Sequence, residues 1–260
     1  GFFHGPHIEL REFMVPFLNP VNVGVIAISS TLLVIIPILA ILYGLFKALF
    51  KFKARDRGLG LSALALWVLA LITTISMVFV EARGFSDGED AVTTSVIKDI
   101  NGDTLYVSMD EGKLAKLEWE DRLEIDNNWY LFEDEDAIFG SIELDIEKGY
   151  NDDFEIGIEK SSRGYDEEDA LERIEKIGYS YSIEGNRIEL DPYFEIDKDD
   201  KWRFQNIDIT IYVPEGKAVN LNSNTSDYLS GIYNLDHIST WKMGGKTWVM
   251  QEDGLSFSGK

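Results

Sequence analysis

The sequence predicts a membrane α-helical hairpin followed by a mostly-β extracytoplasmic domain with one short helix, the β part being a β-solenoid or a β-sandwich. Three observations carry this. Residues 24–46 and 59–80 are two long runs without one charged side chain, and the link between them is short and basic. After residue 140 the apolar residues recur at every second position, which is the period of half-buried strands.

At ~1.5 Å of rise per residue, either run wound as a helix exceeds the roughly 30 Å hydrocarbon core of a bilayer. The runs are apolar on every side, whereas a buried helix of a soluble protein is shorter and keeps a polar stripe. Pro37 removes a backbone hydrogen bond inside the first run and is expected to kink it near Leu33. Small residues such as Gly24, Ser29, Gly60 and Ala63 allow close helix approach. No charge lies inside either run, so a transport pathway through this hairpin is not expected.

Lys47, Lys51, Lys53, Arg55 and Arg57 orient the hairpin, opposed only by Asp56. By the positive-inside rule this loop, residues 47–57, is cytoplasmic and both flanking segments lie outside. Residues 1–22 carry four phenylalanines and three prolines and are expected to form an interfacial connector. The membrane hairpin then occupies residues 23–83 and an acidic β-rich domain residues 84–260. Asn19 and Asn22 are candidate helix caps. His4 and His7 lack a third ligand partner for a metal site. The chain begins at Gly1 with no export signal ahead of an external N-terminus, so a preceding membrane segment is expected.

Charge is unevenly shared. Residues 1–83 hold 7 basic and 4 acidic side chains, and residues 84–260 hold 17 and 42, a net of −25. A domain so acidic repels nucleic acid and anionic headgroups, which excludes both as ligands of its surface. The chain has no cysteine, which excludes disulfides, thiolate nucleophiles and Cys-ligated zinc.

Along the β domain, Ile142, Leu144 and Ile146 alternate with Glu143, Asp145 and Glu147, and Phe154, Ile156 and Ile158 with Glu155, Gly157 and Glu159. The beat returns in Tyr179–Ile183, Ile188–Leu190, Ile207–Val213 and Val219–Leu221, with turn signals such as Glu184-Gly185-Asn186 and Pro214-Glu215-Gly216 between. Asp166–Ile177 breaks it: Ala170, Ile174 and Ile177 stand at helical spacing behind an acidic first turn, predicting the one short helix.

No catalytic residue, metal site or cofactor is predicted. The acidic groups Glu133–Asp136 and Asp197, Asp199 and Asp200 do not match a calcium-loop spacing. His237 has no accompanying Gly-x-Ser-x-Gly elbow, and no phosphate-cradling glycine loop occurs. Paired catalytic carboxylates need burial, whereas these acids alternate outward. Glu143, Asp145, Glu147, Glu155, Glu159 and Glu189 are the candidate partner surface. Trp119, Trp129, Trp202, Trp241 and Trp248 offer the rival, an aromatic surface on a membrane-tethered polysaccharide- or adhesin-like binding module, or else core positions. Asn224-Thr225-Ser226 fits a glycosylation acceptor only weakly.

The basic-linked hairpin NPVNVGVIAISSTLLVIIPILAILYGLFKALFKFKARDRGLGLSALALWVLALI resembles the membrane region of phage-shock-protein C (PspC) homologues of Bacteroidetes. The stretches DALERIEKIGYSYSIEGNRIELDPYF, NIDITIYVPEGKAV and WVMQEDGL are similar to the ToastRack-type domain that follows it there. The PspC domain itself does not precede the hairpin in these residues, and the closing GLSFSGK has no cysteine, which excludes a thiol role for this tail. The resemblance implies a non-enzymatic inner-membrane protein of an envelope-stress system. Its β domain would lie in the periplasm, and its partners would be the bilayer and other envelope proteins. An oligomer through the transmembrane helices is a further expectation.

Overall fold

The computed structural model describes residues 19–51, 57–98, 100, 102–117, 122–126, 129–133 and 137–259. His4, His7, Lys53, Arg55, Trp119 and Asp134–Asp136 lie outside them. The chain forms two units that divide between Ser86 and Asp87.

The first unit holds α1 (Pro20–Phe50) and α2 (Arg57–Arg83), both long and apolar enough to cross a membrane. The helix starts earlier than the apolar run because Asn19 accepts a hydrogen bond from the Val21 N–H at 2.9 Å and Pro20 occupies the first turn, where its missing N–H costs nothing. Asn22 is therefore not a cap. It sits inside α1, and its amide donates to Glu81 of α2 at 2.5 Å. Lys51 ends α1 in the left-handed conformation, φ 49°.

α1 and α2 pack along a polar ladder. The Thr74 hydroxyl donates to Ser29, 2.8 Å away, while Ser29 donates to the Val25 carbonyl. Farther along, the Trp67 indole N–H donates to the Leu33 carbonyl at 3.1 Å. Leu33 is four residues before Pro37, so its carbonyl is the one that proline leaves without a helical donor. α1 runs unbroken through Pro37. Burying such a carbonyl unpaired in hydrocarbon costs several kcal/mol, so Trp67 answers a specific need.

Among the described residues the second unit carries fourteen strands: β1 (Asp87–Val96), β2 (Thr104–Met109), β3 (Arg122–Asp126), β4 (Trp129–Glu133), β5 (Ala137–Ser141), β6 (Glu143–Lys148), β7 (Glu155–Gly164), β8 (Tyr181–Glu184), β9 (Arg187–Leu190), β10 (Tyr193–Asp197), β11 (Asn206–Val213), β12 (Ala218–Leu221), β13 (Lys246–Gln251) and β14 (Gly254–Phe257). They form three sheets, ordered β1-β7-β11-β6, β10-β5-β4-β3 and β14-β13-β12-β2-β9-β8. Strands distant in sequence stack in parallel, β12 on β2, β2 on β9 and β11 on β6. The architecture is the solenoid-like one of the two left open by the sequence.

Parallel stacking puts like on like: Leu221, Val107 and Ile188 form one rung of fully buried side chains across three strands. β11 supplies Ile207, Ile209, Ile211 and Val213, all at 0 % exposure. At ~25 cal/mol per Å2 of apolar surface, each such side chain contributes roughly 1.5–3 kcal/mol. Gly140 of β5 faces Phe194 of β10 directly, and a Cβ there would lie 2.2 Å from the ring, so only glycine admits it.

The expected short helix is α4 (Glu167–Glu175), capped by Asp166, whose carboxylate accepts from the Asp169 N–H at 3.0 Å; Ala170, Ile174 and Ile177 are buried. A further seven-residue helix, α3 (Glu111–Leu117), precedes β3. β8 and β9 are joined by Gly185-Asn186, with Gly185 at φ 59°, the left-handed geometry a two-residue hairpin demands.

Candidate interaction surface

The outer face of the β1-β7-β11-β6 sheet gathers most of the predicted acids. On β6, Leu144 and Ile146 point into the core, which sends Glu143, Asp145 and Glu147 outward. On β7, Ile156 is buried and Glu155 and Glu159 share the opposite side. The register then sets them in rows. Asp208 of β11 lies between Glu143 and Glu159, Thr210 between Asp145 and Gly157, and Tyr212 between Glu147 and Glu155.

Asp208 is the member the sequence reading missed. Its position on the outward beat of Ile207-Asp208-Ile209 was visible, but its neighbours were not, because periodicity does not say which strands pair. Burial, then the flanking Glu143, and also Glu159, push its carboxyl up to about 6, against a hydrogen bond from Asn206 at 2.9 Å. Burial raises Asp145 as well, with Glu147 and Glu143 adding to it. Tyr212 is raised by burial and by Glu147, and its ring lies over Gly157, where a Cβ would sit 3.0 Å away.

Among the described residues, no lysine or arginine pairs with Glu143, Asp145, Glu147, Glu159 or Asp208. Lys148 is drawn aside to Glu215 at 2.7 Å and to the Glu252 carbonyl at 3.0 Å. Lys160, on the opposite beat of β7, donates to the Ile177 carbonyl at 2.6 Å. Glu155 accepts from Asn151 at 2.9 Å. Glu189 stands apart from the other five, exposed on β9 of the six-stranded sheet beside Ser108 and Ser182.

The other candidates resolve into structure. Asp197 accepts from the Asp199 N–H at 2.8 Å to cap a 3-10 turn, and Asp200 pairs with Lys176 at 2.8 Å. Trp248 is fully buried and donates to the Met243 carbonyl at 3.0 Å; Trp202 is buried too, and Trp241 is exposed. These three make no common aromatic platform. The Asn224 side chain clasps Met109, accepting from its N–H at 3.1 Å and donating to its carbonyl at 3.0 Å. His237 stands on an exposed turn at φ 53°, held by Asn234, which accepts from the Ile238 N–H at 2.8 Å. Lys47 lies in the last turn of α1 and Arg57 opens α2. No group of three or more His, Cys, Asp or Glu among the described residues could hold a metal ion.

Two apolar helices leading into a solenoid-like β unit with an uncompensated acidic face define a membrane-anchored β protein. Residues 1–85 match the PspC transmembrane region, and residues 132–258 match the ToastRack found in some PspC. The chain is in these two regions a PspC-type membrane protein, and neither region is a known enzyme family. No curated protein and no solved structure matches it.

Proposed function

We propose that this chain is a non-enzymatic envelope-stress sensor or relay of the inner membrane, which holds its β domain in the periplasm and signals by contact with another envelope protein. The observation that carries this is the joining, in one chain, of a PspC-type transmembrane region with a ToastRack. The basic loop of residues 47–57 supports a cytoplasmic bend, and hence an external β domain. The carboxylates around Asp208 form the contact surface, suited to a basic protein segment. They sit on the outer face of a sheet, where they serve binding and not acid–base chemistry.

Two measurements test the reading. The cysteine-free chain accepts single probes, so Ser86→Cys in whole cells should react with an impermeant maleimide and Ala54→Cys should not. The reverse pattern overturns the orientation. Replacing Glu143, Glu159 and Asp208 together by Gln, Gln and Asn should leave the folded protein in the membrane but abolish the cell's protein-dependent response to envelope stress. An unchanged response removes this face from the mechanism.

A further inference from the structure

β1 is a ten-residue strand at the end of its sheet, paired with β7 in unbroken register from Asp87↔Gly164 to Val96↔Glu155. Nine of its ten residues are exposed, and its outer edge pairs with no other strand among the described residues, although α4 packs against it on one side. Val92 and Val96 are 58 % and 43 % exposed. Natural edge strands are guarded by shortness, bulges, proline or lysine, and β1 has none of these. Its charges are confined to Asp87, Glu89 and Asp90, leaving Ala91–Val96 an uncharged, β-favouring edge.

We propose that β1 pairs antiparallel with β1 of a second copy, fusing the two four-stranded sheets into one of eight strands across a two-fold axis. The uncharged edge Ala91–Val96 matches itself without opposing carboxylates, two copies share one bilayer, and the charge layout selects the direction. Antiparallel pairing sets the acidic half of each strand beside the uncharged half of the other, whereas parallel pairing in register would set each carboxylate against its own copy. A strand added at an edge gains its main-chain hydrogen bonds whatever the acidic face binds, so the inference stands apart from the proposed function. Both copies are anchored in one bilayer, which raises their effective concentration.

The test uses the full chain in its membrane, with single cysteines and oxidation by copper phenanthroline. Ala91→Cys, Val92→Cys and Thr93→Cys bracket the crossing point. Asp87→Cys and Val96→Cys mark the ends, nine residues apart, which at ~3.3 Å per residue separates like ends by roughly 30 Å. At least one central variant should yield covalent dimer at five-fold or more the level of either end variant. Equal crosslinking at all five positions, as parallel pairing or random collision would give, overturns the proposal. So does dimer at none of them, or a central cysteine captured by a different protein.

Discussion

Trp67 donates its indole N–H across the helical hairpin to the carbonyl of Leu33, 3.1 Å away, the group that Pro37 deprives of its own helical partner. A hole made in one helix is filled by a side chain of the other. The two sites are therefore energetically coupled, and Trp67→Phe should destabilise the hairpin by about 0.5–1 kcal/mol, less than the full cost of an unpaired carbonyl because the separated helices also find partners. In a Pro37→Ala background, where residue 37 again supplies an N–H to Leu33, the same change should cost much less. A double-mutant cycle of unfolding in lipid bicelles reads the difference.

Asp208 binds protons more tightly in the folded chain than in the unfolded one, since its carboxyl is raised from 3.8 to about 6. Between those values the native state holds the extra proton, so this group's contribution to stability falls as pH rises from about 4 to 6 and stays low above. Asp208→Asn should raise stability at pH 7 by about 1 kcal/mol, a figure kept small because the site is half open to water. The gain should vanish near pH 4. Thermal unfolding of the full chain at the two pH values measures it.

The same carboxyl ties binding to pH. A basic peptide must face an ionised Asp208 on this acidic face, so its affinity should rise several-fold between pH 5 and pH 7 and fall steeply with salt. Asp208→Asn should flatten the pH profile while leaving the salt dependence. Fluorescence titration with an oligolysine probe separates the two effects.

Gly140→Ala should cost about 3 kcal/mol, because the added methyl meets the buried Phe194 ring on the paired strand with no room to turn aside. Phe194→Leu should partly rescue it. Denaturant unfolding of both variants and the double mutant tests the contact.

Asn224→Ala should destabilise the β domain by about 2 kcal/mol, since the N–H and carbonyl of fully buried Met109 both lose their partner. Asn224→Asp retains only the acceptor and should lose less. Hydrogen exchange at the Met109 amide is the local readout.

The sequence made the helices and many of the strands legible because their signals are local. Runs of Leu, Ile and Val declare two spans, and Ile207, Ile209, Ile211 and Val213 declare a strand with one dry face. The start of α1 was blurred because two asparagines fit the cap, and only the position of Pro20 at the first turn separates Asn19 from Asn22. Pairing was not legible at all. Nothing in residues 143–147 announces that 206–212 lies beside them, so five of the six proposed acids converge on one face around an unforeseen Asp208, while Glu189 goes elsewhere. Trp67 escaped notice for the same reason, as its partner is a main-chain atom thirty-four residues away.

The rung of Leu221, Val107 and Ile188 also fixes when the β unit can assemble. Its middle strand is made early, at residues 104–109, yet both neighbours arrive some eighty and more than a hundred residues later. Until residue 221 has left the ribosome, β2 has no partner on one side, and loop closure of that length is slow. Synthesis through residue 221 therefore precedes closure of this rung, and the centre of the six-stranded sheet forms only after most of the β unit has been made.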